Sequence, residues 1–204
     1  MAGLAAVTQV GESLVTMLRA RRDLLAAGGQ LAPVPAALDI SHASLSRLAT
    51  PPEPATGCTL TCYRVMMSDY PRQPGLRPDQ AAATTISVDL HYLMTAWSSN
   101  VAEEQAIISW AMLELAAHPL LDRSILPSDG SWASGETVQI VPDSLSDDAL
   151  FRLWAALQHK YRLSTTFVAR VVRIGFGPQA DYPPVVASRF GFAGIDDALV
   201  PAGQ

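Results

Sequence analysis

Hydrophobic positions recur along this chain with two periods, and the switches between them outline its elements. Over residues 4–27, Val7, Val10, Leu14, Met17, Leu18, Leu24 and Leu25 return at spacings of three, four and seven, which is one face of an α-helix. Arg19, Arg21 and Arg22 gather toward its C-terminal half, where the helix dipole favours cations, and Gly28 and Gly29 stop it. Such a helix faces a core or lies on a membrane surface, and its short, mixed polar face favours the core. Residues 84–99 switch to a period of two. Ile86, Val88, Leu90, Tyr92 and Met94 point one way, and Ser87, Asp89, His91, Leu93 and Thr95 the other. The first set is uniformly apolar, so this longest strand is expected to be half-buried.

The other elements arrange themselves around that strand. A short strand is expected at residues 37–40, a helical turn at 44–48 and a Pro-rich loop at 51–57. Residues 58–67, CTLTCYRVMM, are β-branched and aromatic at their start and read as a second strand. Residues 69–83 then carry three prolines, a glycine and two arginines, an irregular connection that gives the hairpin an enlarged tip. Asn100 can cap a helix over residues 101–118, with Glu103 and Glu104 in its first turn and Ile107, Ile108, Ala111, Met112 and Leu115 as its apolar stripe. Pro119 ends it, and residues 120–135 are expected to be irregular. A strand at 136–141 is expected to stop at Pro142. Ser144 or Ser146 then caps a helix with Asp147 and Asp148 in its first turn and an apolar face of Leu150, Leu153, Trp154 and Leu157. Residues 162–174 are the last long strand.

Several strands follow one another directly, so the sheet is expected to be at least partly antiparallel. The expected class is therefore α/β of an α+β-like kind. It is one domain over residues 1–175, with a mixed, mostly antiparallel sheet of about five strands flanked by three helices. Residues 176–204, rich in Gly and Pro, are expected to form a flexible arm with one apolar alternating piece at 185–192.

Composition narrows the function. The chain has 204 residues, 49% of them hydrophobic and 16% charged, enough for a sizeable core. A net charge of -5 argues against nucleic acid, whose phosphates need concentrated positive charge. Lys160 is the only lysine among 14 basic residues, a skew toward Arg that suits protein interfaces and a GC-rich genome equally. No apolar run approaches the roughly 20 residues a membrane span needs. The N-terminus lacks the basic start of a signal peptide, so synthesis and folding in the cytoplasm are expected. Cys58 and Cys62, four apart on a strand, share a face but lie too far apart to bond, and read as small buried apolar groups.

The motifs of chemistry are weak. GFGPQA at residues 175–180 follows a strand, but Pro178, Pro183 and Pro184 leave no helix to receive a pyrophosphate. There is no phosphate loop and no nucleophile elbow. His42, His91, His118 and His159 stand singly, and Asp147 and Asp148 suit a helix start better than acid–base work. No catalytic, cofactor-binding or metal residue is expected, and no cofactor.

Three stretches taken together resemble a known family: SVDLHYLMTAW at 87–97, HPLLD at 118–122 and VQIVPDSLSDDALFRLWAALQHKYRLSTTFVARVVRI at 138–174. With CTLTCYRV at 58–65, they are similar to the cap, or tail-terminator, protein of phage-tail-like contractile injection systems of the antifeeding-prophage type. The resemblance covers roughly residues 4–174. It implies a structural protein without catalytic residues and with a phage tail-terminator fold. Its copies would form a homohexameric ring on the inner tube protein and engage the last layer of sheath protein. The partners implied are a second copy, tube and sheath, with no nucleic acid and no stable membrane insertion. Assembly in the cytoplasm would precede incorporation into a particle. Two departures stand out. The loop after the second strand carries an R-N and a D-G pair in the family but reads DYPRQPGLRP here, and the tail past Gly175 has no evident counterpart. A ring interface joins two different patches of each subunit, and loops and arms are natural means. Arg72 and Arg77 in the hairpin loop are therefore candidate contacts. Arg189, Phe190 and Phe192 are further candidates, in a segment suited to adding as a strand to a neighbouring sheet. The competing readings are another tail, baseplate or connector protein, an enzyme of unknown type, and a membrane-surface attachment protein.

Overall fold

A computed structural model describes residues 3–49, 56–69, 84–128, 132 and 135–176. In chain order the elements are helix α1 (Ala6–Ala27), strand β1 (Asp39–His42), a 3-10 turn (Leu45–Ala49), β2 (Gly57–Met67), β3 (Thr84–Trp97), α2 (Val101–Ala117), β4 (Leu120–Leu121), β5 (Val138–Asp143), α3 (Asp147–Ala156) and β6 (Ser164–Phe176). The strands form one sheet in the order β1-β2-β3-β6-β5-β4. Only β1 and β2 run parallel; every other pair is antiparallel. The expected class holds, with six strands instead of about five, because the stretch read as irregular contains the two-residue β4.

β3 shows how the layers form. Val88, Leu90, Tyr92, Met94 and Ala96 pack into a large core with α1 and α2. On the opposite face Leu93 and Trp97 meet Leu48 of the 3-10 turn and Trp154 of α3 in a second, smaller core. The sheet is thus covered on both sides. The expectation of a half-buried strand fails where Leu93, Thr95 and Trp97 lie under α3. The two buried indole N–H groups there find partners: Trp97 Nε1–H donates to Thr59 Oγ1 (3.0 Å) and Trp154 Nε1–H to Ser164 Oγ (3.1 Å).

Local signals set the element ends. Gly29 stops α1 in the left-handed region at φ 66. Asn100 Oδ1 accepts the Ala102 N–H at 3.0 Å to start α2. Ser146, not Ser144, caps α3, accepting the Ala149 N–H at 3.3 Å. Pro142 does not end β5. It pairs opposite Phe167 inside the strand, tolerated because β4 accompanies β5 only at Val138 and Gln139, so Pro142 owes no N–H on its outer side. The arginines of α1 are tethers within the molecule. Arg19 Nε–H donates to the Ile40 carbonyl at 2.8 Å, Arg22 to that of Leu38, and Arg21 pairs with buried Glu114 of α2 at 2.8 Å. With Val10, Leu14 and Leu18 in the core, the apolar face of α1 is committed to the sheet and is not a membrane-facing surface. No helix among the described residues is long and apolar enough to cross a membrane.

Candidate functional site

Each described histidine has a packing role. His91 Nδ1 lies 3.2 Å from Asp143 Oδ2, with Tyr63 edge-on to its ring. Burial, and then the Asp143 carboxylate, push the Tyr63 phenol up to about 12, so this cluster offers a held proton and not a nucleophile. His118 Nδ1 sits 3.0 Å from the Glu114 carbonyl at the end of α2. His159 packs against Trp97 and Trp154. His42 lies against Gly11, where a Cβ would come within 2.5 Å of the imidazole. Burial holds its pKa below 6.5, opposed by the nearby Glu12 carboxylate. Burial likewise pushes the Cys58 thiol up to about 12 and raises that of Cys62, so neither is an activated nucleophile. Among the described residues no three His, Cys, Asp or Glu side chains gather to hold a metal ion.

What the structure does present is surface. β2 and β6 flank β3, and each carries an extra residue against the same stretch of it. On β2 the register slips between Cys62 and Arg64, leaving Tyr63 unmatched. On β6, Arg170 and Val171 stand together against Asp89. Val171, though β-branched, adopts φ 58, and its N–H donates to Asp89 Oδ1 at 2.9 Å. Bulges bend and twist strands, so paired bulges re-aim the ribbon of β2, β3 and β6 beyond them. On that ribbon Val88 and Val172 are buried, yet their neighbours Val65, Met67 and Ile86 are 51%, 63% and 41% exposed. β1 follows β2 only to Leu60, after which Ala43 N–H donates to the Leu60 carbonyl. Among the described residues none pairs with the outer edge of β2 from residue 63 to 67.

A second surface is the outward side of α2. Val101, Ala102, Gln105, Ser109, Met112, Leu113, Ala116 and Ala117 are exposed and none is charged. Met112, expected in the core stripe, is exposed, and Trp110 takes the buried place. Ile86 is likewise exposed, because it lies past the point where the helices cover the sheet.

The candidate contacts Arg72, Arg77, Arg189, Phe190 and Phe192 lie outside the described residues. Their points of departure do not. β2 ends at Met67, β3 starts at Thr84, and Phe176 of β6 pairs with Thr84, so the hairpin loop and the tail leave from one end of the sheet. The sequence reading missed α2's outward face. Its signal was the absence of any charge after Glu104 except Glu114.

A sheet covered on both faces, with an open edge, a bent apolar ribbon and an uncharged helix face, defines a protein of the helix-flanked sheet class that offers edges and faces for recognition. Residues 9–188 match the Pvc16 N-terminal domain, and the chain belongs to that family. The match runs past Gly175, beyond the stretch in which a counterpart was evident. Among solved structures the fold is similar to the sheath/tube terminator of an extracellular contractile injection system, PVC, in its extended state. The TM-score is 0.54 at 17% identity over 95% of this chain and 65% of that one. The anti-feeding prophage tube-terminating cap gives 0.49 at 18% identity over 83% of this chain and 60% of that one. The chain thus spans less than two thirds of the length of either. The comparison with curated proteins gave no match.

Proposed function

We propose that this chain is a structural cap of a contractile injection particle. Six copies form a ring on the last ring of the inner tube, stop its growth and engage the final sheath layer. The particle is assembled in the cytoplasm, and the role is one of packing, without a catalytic step. Membership of the Pvc16 N-terminal domain family and the terminator-like fold support the reading. The observation in the molecule that carries it is the uncharged outward face of α2, with Leu113 70% and Met112 49% exposed. A helix with large apolar side chains on its outward as well as its core-facing side belongs between packed partners, and clustered exposed apolar residues mark an interaction surface. Arg72 and Arg77 are proposed to contact the tube or the neighbouring subunit. Arg189, Phe190 and Phe192 are proposed to act in strand addition.

Negative-stain imaging of the purified protein, alone and with tube, tests the proposal. Six-fold rings at one end of the tube, and tubes of uncontrolled length without the protein, are expected. Density at the baseplate end would instead assign it to another assembly component. In a pull-down, Arg72→Ala with Arg77→Ala should reduce recovery of tube or of the ring; unchanged recovery would remove the loop from the interface.

A further inference from the structure

An unpaired strand edge is normally blunted by Lys, Pro or an inward charge, because it templates pairing with another chain. The β2 edge from residue 63 to 67 has only Arg64 as a charge, and then runs Val65, Met66, Met67, all exposed. Val65 and Met67 belong to the face that also exposes Ile86, so an added strand would gain both backbone partners and apolar cover.

The chain itself carries a segment of fitting composition. β6 ends at Phe176, at the same end of the sheet as Met67. Residues 185–192, VVASRFGF, follow after eight residues, with Val186, Phe190 and Phe192 at alternate positions and Pro183 and Pro184 just before them. Eight residues reach at most about 27 Å, whereas strands in a sheet lie about 4.8 Å apart. The segment therefore reaches past its own subunit's β2 edge, three strand spacings or about 14 Å from β6. Donor and acceptor are two different patches of one chain, as a closed ring requires. We infer that residues 185–192 of one copy add as a strand to the β2 edge of the next copy, with Phe190 and Phe192 covering Val65 and Met67. This rests on the ring-forming cap proposed above and names the contact that closes the ring.

The test uses the full chain. Amide exchange at residues 63–67 should slow about tenfold as concentration rises through the range in which sedimentation shows assembly. Phe190→Asp with Phe192→Asp should abolish both effects. Val65→Glu with Met67→Glu should abolish self-assembly from the acceptor side. Mixed, the two variants should form a one-to-one complex and nothing larger, since one donor and one acceptor remain intact between them. Circular dichroism equal to that of the unaltered chain separates this from misfolding. Protection of residues 63–67 that does not depend on concentration would place the strand on its own subunit and overturn the inference. So would self-assembly unaffected by the Phe variants. Tube growth that still stops normally with the Phe variants would sink this contact while leaving the cap reading intact. Normal strand pairing in a protein that never binds tube would do the reverse.

Discussion

Gly11 and His42 are a case in which a residue-scale rule is reversed by one contact. Gly to Ala inside a helix normally gains up to about 1 kcal/mol. Here the added methyl would meet the His42 ring at 2.5 Å. Gly11→Ala should therefore lower stability by about 1–3 kcal/mol in urea unfolding, and Gly11→Ala with His42→Ala should recover much of the loss. His42 also sets a pH dependence. Burial lowers its pKa from 6.5, so the unfolded chain takes up a proton at a pH where the folded chain does not. Its contribution is present above 6.5 and is lost as the pH falls toward the lowered value. Unfolding midpoints at about pH 7.5 and about pH 5 should differ more for the unaltered chain than for His42→Gln. An equal difference would assign the acid sensitivity to other groups.

Among the elements, α3 depends on one side chain. Trp154 is its only buried residue and anchors the second core. Trp154→Ala should cost about 3–5 kcal/mol, read as a lowered midpoint in thermal unfolding, whereas Phe151→Ala on its exposed side should change little. Asp89→Ala should cost about 1–2 kcal/mol by leaving the Val171 N–H without its carboxylate partner, and Asp89→Asn should cost less. Element existence was legible because the signals were local. Periodicity, Asn100, Ser146 and Gly29 fixed helices and ends within a residue or two. What was illegible arose from pairing. Neither bulge contains a glycine, and nothing in RVV or CYR announces Val171 at positive φ or Tyr63 out of register. Leu93 was placed on the less apolar side of β3 with no partner foreseen, because α3, which buries it, lies more than fifty residues further on. Pro142 misled for the same reason: whether a proline ends a strand depends on having a neighbour on that side.

At the scale of the molecule, the uncharged side of α2 separates folding from assembly. Leu113→Glu alters a side chain that is 70% exposed and should shift stability by no more than about 0.5 kcal/mol. It should nonetheless lengthen the distribution of tube lengths seen by electron microscopy, if α2 meets tube, sheath or neighbour. A different consequence follows from the place of β6. Among the described strands it comes last in sequence, yet it lies between β3 and β5 in the middle of the sheet. Until residues 164–176 are made, β3 and β5 each lack a partner strand on the side that β6 takes. The decisive contacts join segments about eighty residues apart, and such non-local closure is slow, on the millisecond to second scale. The sheet therefore cannot be completed before residues 164–176 have been made.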